Sequence, residues 1–228
     1  LGRDLSGTGW GLKFDYIIIH ESGHEWFANN ITYKDIADMW IHESFTTYSE
    51  SIFIEYYYGK DAAAEYIIGQ RRGIQNKKPI IGTYDVNQEG SGDMYSKGAN
   101  MIHTIRQLVN DDDKWREILR GMNSNFYHQT VSTKQIEAYI SEQSGLKLDG
   151  FFDQYLRDNR IPTLEYEIVN SNLKYRWADV VANFDMPIQV TIDGKEQWIS
   201  PKTEWSSMPI KRNRIQVDAD FYVNTKQL

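Results

Sequence analysis

The sequence contains no cysteine among its 228 residues, so it can form neither a disulfide nor a thiolate metal site. It has no excess of positive charge either: the formal net charge is −7, and no lysine- and arginine-rich cluster offers a surface for nucleic-acid phosphates. The longest apolar runs, such as Tyr16–Ile19, are far shorter than the roughly 20 residues of a transmembrane helix. No targeting segment is recognisable, and the sequence does not indicate a compartment. These absences argue against a nucleic-acid-binding or membrane-spanning chain.

One apolar run ends in a His-Glu-x-x-His motif formed by His20, Glu21 and His24. On an α-helix, residues four apart lie about 40° apart around the axis, so both imidazoles project from one face. Two neutral imidazoles placed in this way can hold Zn²⁺ at about 2.0–2.1 Å each. Glu21, turned by about 100°, can reach a water on the metal but not the metal itself. Short motifs recur by chance, and two ordinary core histidines are the alternative until a third ligand is identified.

A third ligand is indicated eighteen residues after His24, at Glu43. Asp35 can cap a helix there, and no glycine or proline interrupts the chain before Gly59. Projected at 100° per residue, six residues of this helix form one narrow stripe: Ile36, Trp40, Glu43, Thr47, Glu50 and Ile54. Its three large apolar residues predict that the stripe is buried.

Carboxylates on a buried stripe are costly unless each has a partner. A metal ion would balance Glu43. Glu50 could accept the ring N–H of a ligand histidine, although an ordinary buried ion pair is the alternative. His42 projects about 100° from the stripe and is therefore not predicted to be a ligand.

Taken together, these residues resemble the zinc site of the gluzincin metallo-aminopeptidases, the family of aminopeptidase N and leukotriene A hydrolase. The segment Trp26-Phe27-Ala28-Asn29 is similar to that family's W-F-G-N, with Ala28 in place of glycine. Tyr95-Ser96-Lys97-Gly98 resembles the Y-x-K-G segment that holds the family's catalytic tyrosine. The resemblance covers about residues 16–106. It implies zinc as cofactor, a peptide as substrate and Tyr95 as a donor to the oxyanion, whereas periodicity alone would make Tyr95 a packing residue.

The periodicity changes from helical to alternating after Arg160-Ile161-Pro162. The predicted helices span about 15–29, 35–58, 61–72 or 61–75, 93–109, 114–122, 133–144 and 148–156. The predicted strands span 164–168, 188–192 and 195–199, with Asp193-Gly194 as a hairpin turn and further short strands around 205–223. Periodicity therefore predicts a mainly α chain, helical over 1–160 and followed by a small all-β sandwich over 161–228; the resemblance implies that the helical part is a thermolysin-like catalytic domain. His103 and His128 are interpreted as solvated.

The resemblance implies an aminopeptidase in which Glu21 takes a proton from the attacking water and delivers it to the leaving amine. An epoxide hydrolase or an endopeptidase on the same site is an alternative. A non-catalytic, zinc-stabilised peptide-binding module is another, although a structural zinc site needs no base beside it.

The family recognises the free amine of its substrates through an upstream G-x-M-E-N segment, which these 228 residues lack. The chain also does not begin with methionine. We therefore expect a fragment that lacks its N-terminal domain and that, when isolated, turns substrates over slowly.

Overall fold

A computed structural model describes residues 3–212 and 214–228; Leu1, Gly2 and Asn213 lie outside the described residues. Most of the chain up to residue 157 is helical. Its α-helices are α1 (Tyr16–Gly23), α2 (Trp40–Tyr58), α3 (Lys60–Gly69), α4 (Ser96–Val109), α5 (Asp112–Asn125), α6 (Thr133–Ser144) and α7 (Asp149–Phe152). Helix α2 packs against α1, α3 and α4 and forms the centre of this region.

Helix α1 is shorter than the sequence predicts. Asp15 caps its start by accepting a hydrogen bond from the Ile18 amide. The helix ends at Gly23, and a wider π-type turn follows at Glu25–Asn30, in which Phe27 leaves helical geometry with φ −120° and ψ 70°. The predicted continuous helix over 15–29 is therefore wrong beyond His24. The Phe27 carbonyl in this turn accepts a hydrogen bond from the Thr46 hydroxyl of α2 at 3.4 Å, a tertiary contact that local propensity does not reveal.

Helix α2 is buried on several faces, whereas the sequence predicts a single buried stripe. As predicted, Asp35 caps the segment by accepting from the Ala37 amide at 2.9 Å, but the first turn, Ile36–Asp38, is a 3₁₀ turn and α2 itself begins at Trp40. Residues outside the predicted stripe are also buried, among them Ile41, Ser44, Phe45 and Tyr48. The stripe was too narrow because neighbouring helices cover α2 on several faces.

Helix α4 approaches α2 closely at Gly98. A β-carbon at this position would collide with the Ser44 side chain, so only glycine allows the two helices to come this near. The Ser44 hydroxyl donates to the Met94 carbonyl at 2.7 Å and fixes the chain just before α4. The predicted helix over 93–109 is interrupted at Tyr95, which separates the 3₁₀ turn Gly92–Met94 from α4.

Two strands lie among the helices and the others form the C-terminal part. Strands β1 (Ile31–Tyr33) and β2 (Gln129–Val131), which were not predicted, pair in parallel. The C-terminal strands are β3 (Thr163–Val169), β4 (Asn172–Ala178), β5 (Ile188–Ile192), β6 (Lys195–Ile199), β7 (Ser206–Pro209), β8 (Ile215–Val217) and β9 (Asn224–Gln227). They form a four-stranded sheet in the order β7-β4-β3-β9 and a three-stranded sheet in the order β6-β5-β8.

The hairpin predicted at Asp193-Gly194 is confirmed: both residues have positive φ, and β5 pairs with β6 in antiparallel register. Strand β4 was missed because its turn from β3, Asn170-Ser171, reaches positive φ at both positions without a glycine to signal it. The short strands expected around 205–223 are found as β7 and β8, but residues 221–223 at the end of that range are not a strand, and the last strand begins only at Asn224.

The C-terminal part packs on the helical part through the segment 218–222. The Tyr155 hydroxyl donates to the Tyr222 carbonyl at 2.7 Å, and the Tyr222 amide donates to the Thr104 hydroxyl. The interpretation of His103 as solvated is wrong: it is 6% exposed, and its Nε2 lies 3.1 Å from a carboxylate oxygen of Asp220. That contact joins residues far apart in the chain. His128, in contrast, is exposed as expected.

No helix within residues 3–212 and 214–228 combines the length and the apolar character needed to cross a membrane.

Candidate metal centre

Three side chains from α1 and α2 converge on one point. The Nε2 atom of His20 lies 3.2 Å from Oε2 of Glu43, and Nε2 of His24 lies 3.6 Å from the same oxygen. The ligand atoms of His20, His24 and Glu43 all lie within 4.8 Å of one another. The π-type turn does not disturb this arrangement, because His24 still has right-handed helical geometry with φ −64°. The structure thus brings together the three residues that the sequence predicts as ligands.

The opposite nitrogen of each imidazole is occupied by a protein acceptor. Nδ1 of His20 lies 2.8 Å from a carboxylate oxygen of Glu50. Nδ1 of His24 lies 3.1 Å from the Phe27 carbonyl oxygen and 3.2 Å from the Thr46 hydroxyl. These partners hold a proton on Nδ1 of each ring, so that Nε2, which points toward Glu43, is the nitrogen left to bind a metal ion in place of a proton. Both rings are therefore oriented for metal binding.

Glu50 is held in place by residues of α3 and the turn that follows it. The carboxylate is 2% exposed. Its second oxygen accepts hydrogen bonds from the Tyr66 hydroxyl and, at 3.1 Å, from Nε2 of Gln70. Such contacts fix the carboxylate behind His20 and satisfy its buried acceptors.

The local field at His20 favours a bound cation. Burial by itself would lower the pKa of His20, but its hydrogen bonds with Glu43 and Glu50 outweigh burial and raise that pKa to about 9. The carboxylates that stabilise a proton on this ring would equally stabilise a metal ion between the rings.

His42 faces away from the cluster, as the sequence predicts. Its Nε2 accepts a hydrogen bond from the Tyr33 amide at 3.0 Å, which removes the lone pair from metal binding. Burial lowers the pKa of His42 to about 4, so the ring is neutral and can act as this acceptor.

Glu21 and Tyr95 line a cavity of about 750 Å³ together with the three clustered side chains. Glu21 is exposed and carries no fixed hydrogen bond to a protein group within the described part of the chain. The Tyr95 ring centroid lies 5.9 Å from that of His20, and the residue is 41% exposed. Burial and the nearby charge of Glu43 raise the pKa of Tyr95, so its hydroxyl is a neutral hydrogen-bond donor.

Several supporting residues have no signal in the sequence. Tyr66 and Gln70, which hold Glu50, lie on α3 and its C-terminal turn, and their contact with α2 depends on how these helices pack. Thr46 on α2 contacts Nδ1 of His24 across two helices. A helical projection of α2 puts Thr46 near the ligand face, but it does not indicate the partner.

The sequence is similar to proteins of one family. Residues 11–155 match the family model for the peptidase family M1 domain. Aminopeptidase N of Lactococcus lactis subsp. lactis is 24% identical over 224 residues, which cover 88% of this chain and 25% of that protein. Aminopeptidase M1 of Arabidopsis thaliana is 22% identical over 199 residues, which cover 82% of this chain and 22% of that protein. The chain thus spans about a quarter of the length of the curated relatives it matches.

Solved structures agree on the fold. Aminopeptidase A of Legionella pneumophila, solved in complex with aspartic acid, aligns with a TM-score of 0.71 at 16% identity over 92% of this chain and 26% of that one. A two-domain M1 zinc metallopeptidase, solved as a mutant bound to L-tryptophan, aligns with a TM-score of 0.50 at 25% identity. That alignment covers 57% of this chain and 30% of the neighbour.

These matches define the class as that of the metallopeptidases, which are hydrolases. The chain belongs to peptidase family M1. The resemblance to the aminopeptidases that was drawn from the zinc motif is thereby confirmed.

Proposed function

We propose that this chain is the catalytic part of a zinc-dependent aminopeptidase that hydrolyses N-terminal residues from peptides. The observation that carries the proposal is the convergence of His20, His24 and Glu43 beside Glu21 in one cavity. The names of the relatives support the exopeptidase activity over the epoxide hydrolase and endopeptidase alternatives, because they are aminopeptidases.

The three clustered residues fit a zinc ion. Ligand atoms placed tetrahedrally at about 2.0–2.1 Å from an ion lie about 3.4 Å from one another. The distances from Glu43 Oε2 to the two Nε2 atoms, 3.2 and 3.6 Å, bracket that value. Two imidazoles and one carboxylate also suit the preference of zinc and leave a fourth position open. When bound, the ion would supply a Lewis acid that acidifies a water molecule and polarises the scissile carbonyl.

Glu21 would transfer the proton of the attacking water, and Tyr95 would stabilise the negative charge that develops on the carbonyl oxygen. Glu21, exposed to the cavity, would take the proton of the attacking water and deliver it to the leaving amine. The Tyr95 hydroxyl would donate a hydrogen bond to the carbonyl oxygen as negative charge develops on it. Glu50 would act on His20, whose ring it orients at 2.8 Å, and would not contact the substrate.

The domain division is part of the same proposal. We place a thermolysin-like catalytic domain over 1–160 and a small β-sandwich over 161–228. In support, the family model ends at residue 155 and the first C-terminal strand begins at Thr163. The two parts share one continuous hydrophobic core, so we expect them to unfold together.

The proposal is tested with the zinc-loaded chain and an aminoacyl-nitroanilide. We expect measurable hydrolysis that a chelator abolishes and added zinc restores. Glu21→Gln should lose about 10²–10⁴ in kcat, the usual contribution of a general base, and should still bind one zinc ion. Glu25→Gln is the matched control, because Glu25 is also an exposed glutamate of this segment but lies outside the cavity.

Each alternative has its own signature in this experiment. A zinc-stabilised binding module would show no zinc-dependent hydrolysis, and Glu21→Gln would leave its peptide affinity unchanged. An endopeptidase would cleave peptides with blocked N-termini as fast as free ones. If Glu25→Gln lost as much activity as Glu21→Gln, the role assigned to Glu21 would be wrong.

A further inference from the structure

Among the described residues, the cavity beside the candidate metal centre is lined by three carboxylates and by one guanidinium. Glu21, Glu43 and Glu50 contribute the negative charge. Among the described residues that line the cavity, Arg72 is the only lysine or arginine. With a zinc dication bound, the ion and Arg72 together would balance the three carboxylates. The cavity would then carry no excess negative charge to repel a carboxylate of the substrate.

Arg72 lies on a turn whose two preceding residues are anchored to different parts of the molecule. The 3₁₀ turn Gln70–Gly73 follows α3. Gln70 donates to the buried Glu50. Arg71 donates to Asn100 at 2.6 Å and to the carbonyls of Ala219 at 2.8 Å and Asp220 at 3.2 Å. The backbone that presents Arg72 is therefore fixed.

The two neighbouring arginines are used differently. Each of the three guanidinium nitrogens of Arg71 donates a hydrogen bond to a protein acceptor. Arg72, in contrast, is exposed at the cavity wall and has no ion pair or side-chain hydrogen bond with any residue in 3–212 or 214–228. A guanidinium has a planar fork of donors that matches a carboxylate in a bidentate manner. An arginine on a fixed backbone, with no protein partner for its guanidinium among the described residues, is suited to binding a carboxylate.

We propose that Arg72 selects substrates that place a carboxylate in this cavity. The inference rests on the proposed peptidase function and names a substrate class for it. The carboxylate could belong to an acidic side chain of the first residue or to the free C-terminus of a short peptide. Both offer the same chemistry to the guanidinium, and the experiment separates them.

Peptide affinity is measured by calorimetry in the zinc-loaded Glu21→Gln variant, so that no turnover is needed. Three tripeptides are compared: Gln-Ala-Ala amide, Glu-Ala-Ala amide and Gln-Ala-Ala with a free C-terminus. We expect one of the two peptides that carry a carboxylate to bind more tightly than the Gln-Ala-Ala amide, which carries none, and Arg72→Gln to weaken that peptide alone by about tenfold. Arg72→Lys, which keeps the charge but not the fork, should recover part of the loss.

Arg120→Gln is the control for overall charge, since Arg120 is an exposed arginine on α5 outside the cavity. An equal loss in Arg120→Gln, or no change in Arg72→Gln, would overturn the inference and leave the proposed function intact. If Arg72→Gln weakens binding of the Glu-Ala-Ala amide, Arg72 recognises the side chain of the first residue. If it weakens binding of the peptide with a free C-terminus, Arg72 recognises the C-terminal carboxylate of short peptides. Failure of all three peptides to bind would overturn the proposed function, and the inference with it.

Discussion

The carboxylate of Glu50 tests whether contacts behind the ligand histidine set the metal affinity. One oxygen lies 2.8 Å from Nδ1 of His20, and the other accepts hydrogen bonds from Tyr66 and Gln70. Glu50→Gln keeps the size of the side chain but replaces one acceptor with an NH₂ donor. If the amide oxygen stays on His20, the new donor faces the amide donor of Gln70. If the amide flips, the donor faces the N–H of His20.

The magnitude follows from these contacts. Loss of an outer partner of a ligand histidine typically weakens metal binding by about 10–100-fold. We therefore expect the Kd for zinc to rise by that factor in Glu50→Gln, which corresponds to about 1.4–2.7 kcal/mol. The assay is competition for zinc with a chromophoric chelator at neutral pH. The activity of the zinc-saturated variant, measured in parallel, separates an effect on metal affinity from one on the reaction.

Tyr66→Phe is the matched control. It removes a donor to the same carboxylate but leaves the hydrogen bond between His20 and Glu50 in place. We expect a loss of about 1 kcal/mol in the free energy of unfolding and a zinc Kd within about fivefold of the wild type. The reasoning is refuted if Glu50→Gln binds zinc as tightly as the wild type, or if Tyr66→Phe loses as much zinc affinity as Glu50→Gln.

Two further substitutions probe the segment at the start of α4. Tyr95→Phe should lower kcat by about 10²–10³ while leaving zinc content and KM near wild type, because only the oxyanion donor is removed; an unchanged kcat would make Tyr95 a packing residue. Lys97 is fully buried, its Nζ donates to the Asp158 carbonyl, and burial lowers its pKa from 10.5 to about 8. The unfolded chain therefore binds more protons between these pH values. The free energy of unfolding should rise across that window by up to about 3 kcal/mol relative to Lys97→Met, as followed by urea denaturation. Lys114→Met, at an exposed lysine that also donates to a carbonyl, should show no such difference from the wild type.

Which side chains share a face of α1, and which share a face of α2, could be predicted because that information is local; that the two faces meet is not local information and was implied by the resemblance to a family. His20 and His24 lie one helical turn apart, and Glu43 and Glu50 lie two turns apart on α2, so helical periodicity alone puts each pair on one face. The end of the regular helix just before His24 does not change the placement of the two histidines, because His24 itself keeps helical backbone geometry.

What could not be predicted depends on contacts between distant parts of the chain. The buried side chain of His103 has its partner in Asp220, which lies 117 residues further on. The end of α1 depends on the Phe27 carbonyl, which accepts a hydrogen bond from Thr46 on another helix at 3.4 Å. No pattern within either segment records these partners, so periodicity predicted a solvated histidine and a longer helix.

The side chains of the candidate centre are held in fixed relative positions because α2 lies at the centre of the helical part. This one helix carries a predicted ligand, Glu43, together with Thr46 and Glu50, which orient the two histidines. Its burial among α1, α3 and α4 fixes these three side chains relative to one another without any contribution from a flexible loop. The close approach at Gly98 then places the start of α4, and with it Tyr95, against the same helix. A substitution that separates α2 from α4, such as Gly98→Ala, should therefore displace Tyr95 but leave the three ligand atoms together, because these atoms are contributed by α1 and α2; kcat should fall while the zinc Kd stays near that of the wild type.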